Sequence, residues 1–215
     1  MNRRYFLMGS ALAAAASLRP RAFAGANDRV RIACVGVRSR GSVHIKEYSK
    51  LANVEVAALC DVDQSVLSER LNETEAATGR KPAGFTDLRK LLEDKSIDAI
   101  SIATPNHWHA LQTIWGCQAG KDVYVEKPCA HNVFESSQIV AATRKYGRVV
   151  QNGTQSRSTS AIREAVEQVR QGVIGDPYLA RGLCFKWRNT IGRAPIEPVP
   201  AGVDYDLWLG PAARH

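Results

Sequence analysis

A chain of 215 residues has room for one complete domain and part of a second, and its 45% hydrophobic content suits a packed core. After the first two dozen residues no stretch is long and apolar enough to span a membrane. The net charge of +8 points towards nucleic acid only superficially: four of the 29 basic residues lie in residues 1–24 with no acid beside them, leaving 25 against 21 and a charge of +4. No basic stripe interleaved with aromatics follows, so nucleic acid is excluded as a partner.

Residues 1–24 read as a targeting segment. Asn2-Arg3-Arg4-Tyr5-Phe6-Leu7 resembles a twin-arginine export motif, an alanine-rich run continues to Leu18, and Ala22-Phe23-Ala24 fits a small-x-small cleavage site. The expectation is an exported, periplasmic protein whose mature form starts near Gly25 and has no membrane segment.

Val30–Val35 is the first buried strand. Gly36-Val37-Arg38-Ser39-Arg40-Gly41 follows and leads into a helix ending near Ser49. This is the frame of G-x-G-x-x-G in a strand–turn–helix unit, the pattern of a dinucleotide phosphate loop. Gly36 makes the turn and Gly41 lets the helix pack on the strand. Arg38 stands where the middle glycine normally lets the backbone approach the pyrophosphate. Its side chain either points away or contacts phosphate itself.

Val54–Cys60 is the second strand, and Asp61 ends it, 25 residues after Gly36. A carboxylate there suits the ribose diol and repels a 2′-phosphate, which favours NAD over NADP. Asp63 reads as the N-cap of a helix over Gln64–Thr78. Thr86 is expected to cap a short helix whose Leu88, Leu91 and Leu92 face the sheet.

Ile97–Ala103 is an apolar run broken by Thr104-Pro105-Asn106. Trp108–Ala119 has helical spacing with Leu111, Ile114, Trp115 and Ala119 on one side, and Val123–Val125 is a further strand. Strand, helix, strand over about thirty residues implies parallel pairing. The clusters Thr104–His109 and Glu126-Lys127-Pro128 then share one crevice at the carboxyl ends of the strands. A helix over Val133–Tyr146 stops at Gly147, and Arg148–Gln151 is the last strand of this unit.

Beyond it, Ser160–Gly172 reads as an amphipathic helix with Ile162, Ala165, Val166 and Val169 on one side. Tyr178–Trp187 reads as a strand, and Arg193–Gly202 as irregular and proline-rich. The five cysteines (Cys34, Cys60, Cys117, Cys129, Cys184) are odd in number and lack C-x-x-C spacing, so neither a disulfide framework nor a metal site is expected.

The ATPN-x-x-H stretch and the EKP tripeptide, at this spacing and after the glycine turn and Asp61, resemble the Gfo/Idh/MocA family of glucose–fructose oxidoreductase and inositol dehydrogenase. The likeness runs from about Arg29 to Gly210, and Asp204–Ala212 resembles a segment of exported members. It implies an α/β fold: a Rossmann doubly wound parallel sheet over residues 29–153, then the start of an incomplete α+β second domain over 154–215. It places Thr104, Pro105 and Asn106 beside the nicotinamide and His109 at the pocket's edge. It makes Lys127 the residue that bonds substrate hydroxyl, with Glu126 pairing a neighbouring base or bonding ribose. Gln155 and Arg157 lie near substrate and cofactor. The family's base comes from the second domain and has no counterpart here, since His215 lacks its context. The chain therefore reads as a fragment or truncated product, or its remainder lies on another polypeptide.

The resulting expectation is an NAD-dependent oxidoreductase passing hydride between a sugar or polyol and nicotinamide. A homo-oligomer through the second domain, where that domain is complete, goes with it. The alternatives are an NAD-assisted glycoside-cleaving enzyme and a non-catalytic nucleotide-binding fragment.

Overall fold

Six short strands pair into one fully parallel sheet in a computed structural model, which describes residues 29–184, 186–190 and 192–213. The expected export signal and His215 lie outside the described residues. The strands are β1 (Val30–Val35), β2 (Val54–Cys60), β3 (Ala83–Phe85), β4 (Ala99–Ile102), β5 (Asp122–Glu126) and β6 (Val150–Gly153), in the order β3-β2-β1-β4-β5-β6. The order reverses beside β1, which pairs with both β2 and β4. In open α/β sheets that reversal opens a crevice at the carboxyl ends.

Alternate residues of β1 point to opposite faces, and each face has its own core. Ile32 and Cys34 pack with Ile45, Leu59, Val66 and Leu67 under helices α1 (Arg40–Ser49) and α2 (Gln64–Thr78). Ala33 and Val35 pack with Leu88, Leu91, Ile100, Ile102 and Val125 on the other face. That face is covered by α3 (Leu88–Leu92), α4 (Asn106–Gln118) and α5 (Val133–Tyr146). Burial on both faces explains why the strands read as continuous apolar runs.

Caps and stops set the helix limits. Asp63 accepts from the Ser65 and Val66 N–H groups and starts α2, and Asn132 accepts from the Glu135 N–H at the start of α5. Gly79 and Gly147 end the same helices in the left-handed conformation. Asp87, not Thr86, caps α3, by accepting from the Arg89 N–H. The carboxylate is the stronger acceptor and lies one residue nearer the helix.

Two expectations are shifted. β6 begins at Val150, because the Arg148 N–H is bonded to the Thr143 carbonyl at the end of α5 and the Val149 N–H to Asp122 Oδ1. The most deeply buried face of α4 is His109, Ala110, Gln112, Thr113, Gly116 and Cys117, with Ile114, Trp115 and Ala119 packed at its margin. Gly116 permits this close approach: a Cβ there would meet Ile100 Cδ1 at 2.8 Å and Val123 Cγ2 at 2.9 Å.

After β6 come a 3-10 turn (Gln155–Ser158), helix α6 (Ser160–Arg170) and helix α7 (Tyr205–Leu209). The strand expected over Tyr178–Trp187 does not form among the described residues, and Tyr178 and Trp187 are almost wholly exposed. An isolated extended segment has no ladder to complete its hydrogen bonds. Ile162, Val166 and Val169 do share one side of α6, but that side is exposed.

The described cysteines are all free thiols, with Cys34, Cys60 and Cys117 buried, Cys129 half-buried and Cys184 exposed. Among the described residues no helix is long and apolar enough to cross a membrane. No group of three or more His, Cys, Asp or Glu among them is placed to hold a metal ion.

Candidate nucleotide-binding site

The site is built from the turn after β1. Gly36 has φ +76° and its N–H donates to the Cys60 carbonyl at 2.8 Å. A Cβ on Gly36 would lie 2.7 Å from the Thr104 nitrogen, and one on Gly41 would lie 1.8 Å from the Gly36 carbonyl oxygen. No other residue fits either position without moving backbone. The start of α1 is thereby pressed against the ends of β1 and β4. Ser39 makes no side-chain cap bond and the first turn of α1 carries no acid. The Gly41 N–H donates to the Arg38 carbonyl at 2.8 Å, and the other N–H groups of this turn have no side-chain cap, which suits an anion from outside such as a pyrophosphate.

Asp61 stands beside this turn. Its Oδ2 accepts from the Val37 N–H at 2.9 Å and its Oδ1 from the Asp63 N–H at 3.0 Å. Each carboxylate oxygen keeps a lone pair for a further donor, such as a ribose hydroxyl. Arg38 is drawn sideways: its Nη2 donates to Asp63 Oδ2 at 2.7 Å. The Ser65 hydroxyl, backbone N–H groups of α2 and Arg38 together hold the Asp63 carboxyl below the usual range.

A crevice of about 630 Å³ opens over these groups and is lined by Gly36, Arg38, Asp61, Thr86, Thr104 and Pro105, among others. The Thr104 hydroxyl donates to Gln112 Oε1 at 2.8 Å. Asn106 is exposed at the first position of α4. His109, expected at the pocket's edge, is instead only 2% exposed and lies behind the loops. Its Nδ1 faces the Pro128 carbonyl at 2.6 Å and its Nε2 the Thr104 carbonyl at 2.8 Å. It joins the two polar clusters rather than facing a ligand.

Glu126 is buried, and it is the hub of a second cluster. Arg40 Nε donates to its Oε1 at 2.8 Å, and His44 Nε2 lies 3.1 Å from the same oxygen. His44 Nδ1 lies 2.9 Å from Ser101 Oγ, which orders the chain Ser101–His44–Glu126–Arg40 across the carboxyl ends of β4 and β5. With its amide turned to satisfy both neighbours, Gln155 accepts from Arg40 Nη2 at 2.7 Å and donates to the Gly153 carbonyl at 2.6 Å. Burial raises the Glu126 pKa, but bonds from Arg40 and His44 outweigh it and leave the carboxyl below its usual range. Burial pushes the His44 imidazole down, against the pull of Glu126.

Sequence reasoning singled out neither Arg40 nor His44. Their spacing held the signal, because i and i+4 on a helix share one face. Lys127 follows Glu126, is joined to Pro128 by a cis peptide bond, and is exposed. Its ammonium has no hydrogen-bond or ion-pair partner among the described residues, and the crevice over Asp61 does not reach it. The structure thus gathers Gly36, Arg38, Gly41, Asp61, Thr104 and Pro105 at one place. It sets Glu126, Lys127 and Gln155 at another, one strand further on.

Residues 30–154 match the family model described as GFO_IDH_MocA, "Oxidoreductase family, NAD-binding Rossmann fold". A "Glycosyl hydrolase family 109 protein" of Shewanella pealeana is 35% identical over 69% of this chain and 34% of its own length. One of the same description from Stenotrophomonas maltophilia is 32% identical over 95% of this chain and 47% of its own. The chain spans less than half the length of these relatives. Among solved structures, myo-inositol 2-dehydrogenase from Lactobacillus plantarum is 26% identical with a TM-score of 0.63, over 69% of this chain and 43% of that one. The scyllo-inositol dehydrogenase of Lactobacillus casei, solved with NAD(H) and scyllo-inositol bound, is 24% identical with a TM-score of 0.64 over the same shares, a likeness of fold.

Proposed function

Because the chain belongs to the Gfo/Idh/MocA oxidoreductase family with its NAD-binding Rossmann fold, we propose that it serves an NAD-dependent oxidoreductase of sugars or polyols. The observation that carries this is the crevice at the strand-order reversal, with the uncapped start of α1 on one side and Asp61 on the other. Bound NAD supplies the hydride acceptor. The chain's own residues do the rest. The α1 N–H groups hold the pyrophosphate, and Asp61 takes the adenosine ribose diol and disfavours a 2′-phosphate. Thr104 and Pro105 form the floor beyond the pyrophosphate. Lys127, with an unengaged ammonium, holds the substrate hydroxyl and eases its proton away.

Isothermal titration with NAD and NADP tests the binding half. NAD is expected to bind more tightly, and a preference for NADP overturns the role of Asp61. An absorbance assay for NADH over a panel of sugars and inositols tests the chemistry on the longest form of the protein obtainable.

The relatives described as glycosyl hydrolases are consistent with one second reading, NAD-assisted glycoside cleavage with the cofactor retained. Free sugar released without net NADH separates it from the first. We also propose export by the twin-arginine route, on the strength of Arg3-Arg4 and the apolar run after them. Changing both arginines to lysine stops export of a fused reporter on this reading, and unchanged export overturns it.

A further inference from the structure

A strap from the far end of the described chain crosses the mouth of the crevice. At one wall the Gln64 N–H donates to the Gly202 carbonyl at 3.0 Å and the Asp204 N–H to the Val62 carbonyl at 3.1 Å. Asp63 and Val203 form an antiparallel bridge between these two bonds. At the other wall the Trp208 carbonyl accepts from Trp108 Nε1 at 3.0 Å and lies 3.0 Å from His107 Nε2. Pro200, Val203, Leu207 and Trp208 line the crevice from the strap's side.

The strap is built to hold this course. Asp204 caps α7 by accepting from the Leu207 N–H, and Leu209 is buried behind it. Gly210 has φ +51°, and a Cβ there would lie 2.1 Å from the Trp108 ring. The strap therefore closes on Trp108 only with glycine at that position. Trp208 is stacked on Tyr205, with ring centroids 5.7 Å apart, which fixes its ring while leaving it 42% exposed.

The strap docks on Val62, Asp63 and Gln64, directly after Asp61, and the same crevice reaches Thr86–Arg89 after β3. This is the β1–β2–β3 half of the sheet, where a dinucleotide places its adenosine. That half carries Asp61, Asp63, Asp87, Arg38 and Arg89, with Val62 and Leu88 as its own apolar lining. An adenine ring needs an apolar surface to leave water, and the strap supplies one. We propose that residues 200–210 are the outer wall of the adenosine site, with Trp208 and Leu207 as its apolar face. Adenosine affinity is then set by a segment about 140 residues distant in sequence from Asp61. This inference rests on the dinucleotide reading above.

The test is isothermal titration of the purified chain with NAD and with AMP, which carries only the adenosine half. Trp208→Ala is expected to weaken both by the same factor, about tenfold, as loss of a base–aromatic contact does. Trp208→Phe, which keeps an aromatic wall, is expected to recover most of that loss. Thermal melts show that the variants are folded. If wild type binds NAD and AMP and Trp208→Ala binds both unchanged, the wall is elsewhere and the dinucleotide reading stands. Weakened NAD with unchanged AMP also overturns the proposal, because the strap would then act beyond the adenosine. If wild type binds neither ligand, the dinucleotide reading fails and the wall fails with it.

Discussion

Arg40, the first residue of α1, donates at 2.8 Å to Glu126, the residue immediately before Lys127. The turn after β1 and the loop after β5 are thus fastened to each other, with His44 bonded to the same carboxylate oxygen. Removing one partner leaves a buried charge without its counter-charge, a larger loss than a surface pair would bring. Arg40→Ala is expected to destabilise by about 1–3 kcal/mol, since Arg40 is part-exposed and His44 remains. Glu126→Ala is expected to cost more, on the order of 3–5 kcal/mol. Urea denaturation checks both, and equal or negligible losses would show that the cluster does not fasten the loops.

The same cluster sets a pH dependence. Glu126 and His44 are both held below their ordinary values of 4.5 and 6.5 in the folded state. The unfolded chain therefore takes up protons first as pH falls. His44's contribution is full above its ordinary 6.5 and is lost as pH drops through its lower folded value. Glu126's contribution persists further and goes only below its ordinary 4.5. Wild type is expected to lose urea resistance between about pH 7 and pH 5, and His44→Gln to lose less over that interval. Parallel profiles for the two proteins would remove His44 as the source.

Gly41 and Gly79 make a matched pair. A Cβ at Gly41 would strike the Gly36 carbonyl at 1.8 Å, whereas one at Gly79 would meet nothing within 4 Å. Gly79→Ala therefore carries only the left-handed strain, about 1–2 kcal/mol. Gly41→Ala forces backbone apart and is expected to cost at least about 3 kcal/mol and to abolish NAD binding. Thermal melts with and without NAD separate the two effects.

Asp61→Ala removes an acceptor from two backbone N–H groups and, on the proposed reading, the ribose partner. It is expected to weaken NAD, to narrow the gap to NADP and to destabilise by about 1–2 kcal/mol. Arg38 is paired with Asp63 on an exposed edge, so Arg38→Gly should alter stability by less than about 1 kcal/mol. If the side chain only crowds the pyrophosphate, the same change tightens NAD. Loosening of about 1.5–3 kcal/mol would show instead that the guanidinium bonds phosphate.

Thiol labelling checks the core. Burial pushes the Cys34 thiol up to about 12 and raises Cys60 further still. Only the thiolate reacts. A thiol reagent at pH 8 is expected to modify Cys184 first and Cys129 more slowly, with Cys34, Cys60 and Cys117 reacting only in denaturant. Rapid modification of all five would contradict this packing.

The four inner strands β1, β2, β4 and β5 were legible as apolar runs because they are buried in the middle of the sheet, whereas the edge strand Ala83–Phe85, largely exposed, was not singled out, and the cap of α3 fell on Asp87 rather than Thr86. The glycine turn after β1 was legible because Gly36 and Gly41 answer a steric demand that no other residue meets. Less legible was whatever depends on distant partners. The link from His109 to the Thr104 and Pro128 carbonyls, and from His44 to Glu126, spans separate strands. No local pattern distinguishes such a histidine from a ligand-facing one. The strand expected over Tyr178–Trp187 had the composition of a strand but, among the described residues, no neighbour to pair with. Apolar content selects what wants to be buried, and pairing decides whether it becomes a strand.

The place of β1 between β2 and β4 bears on how the chain folds as it is made. β1 emerges first, yet one of its edges is satisfied only by Ala99–Ile102, about seventy residues later. Until those residues leave the ribosome, Ile32–Val35 can pair on the β2 side alone, and its other edge stays open to any extended segment nearby. At ~5–20 residues per second that exposure lasts several seconds. Nascent chains arrested before Ile100 should therefore be captured by a holdase chaperone, and chains arrested well beyond Gly153 should not.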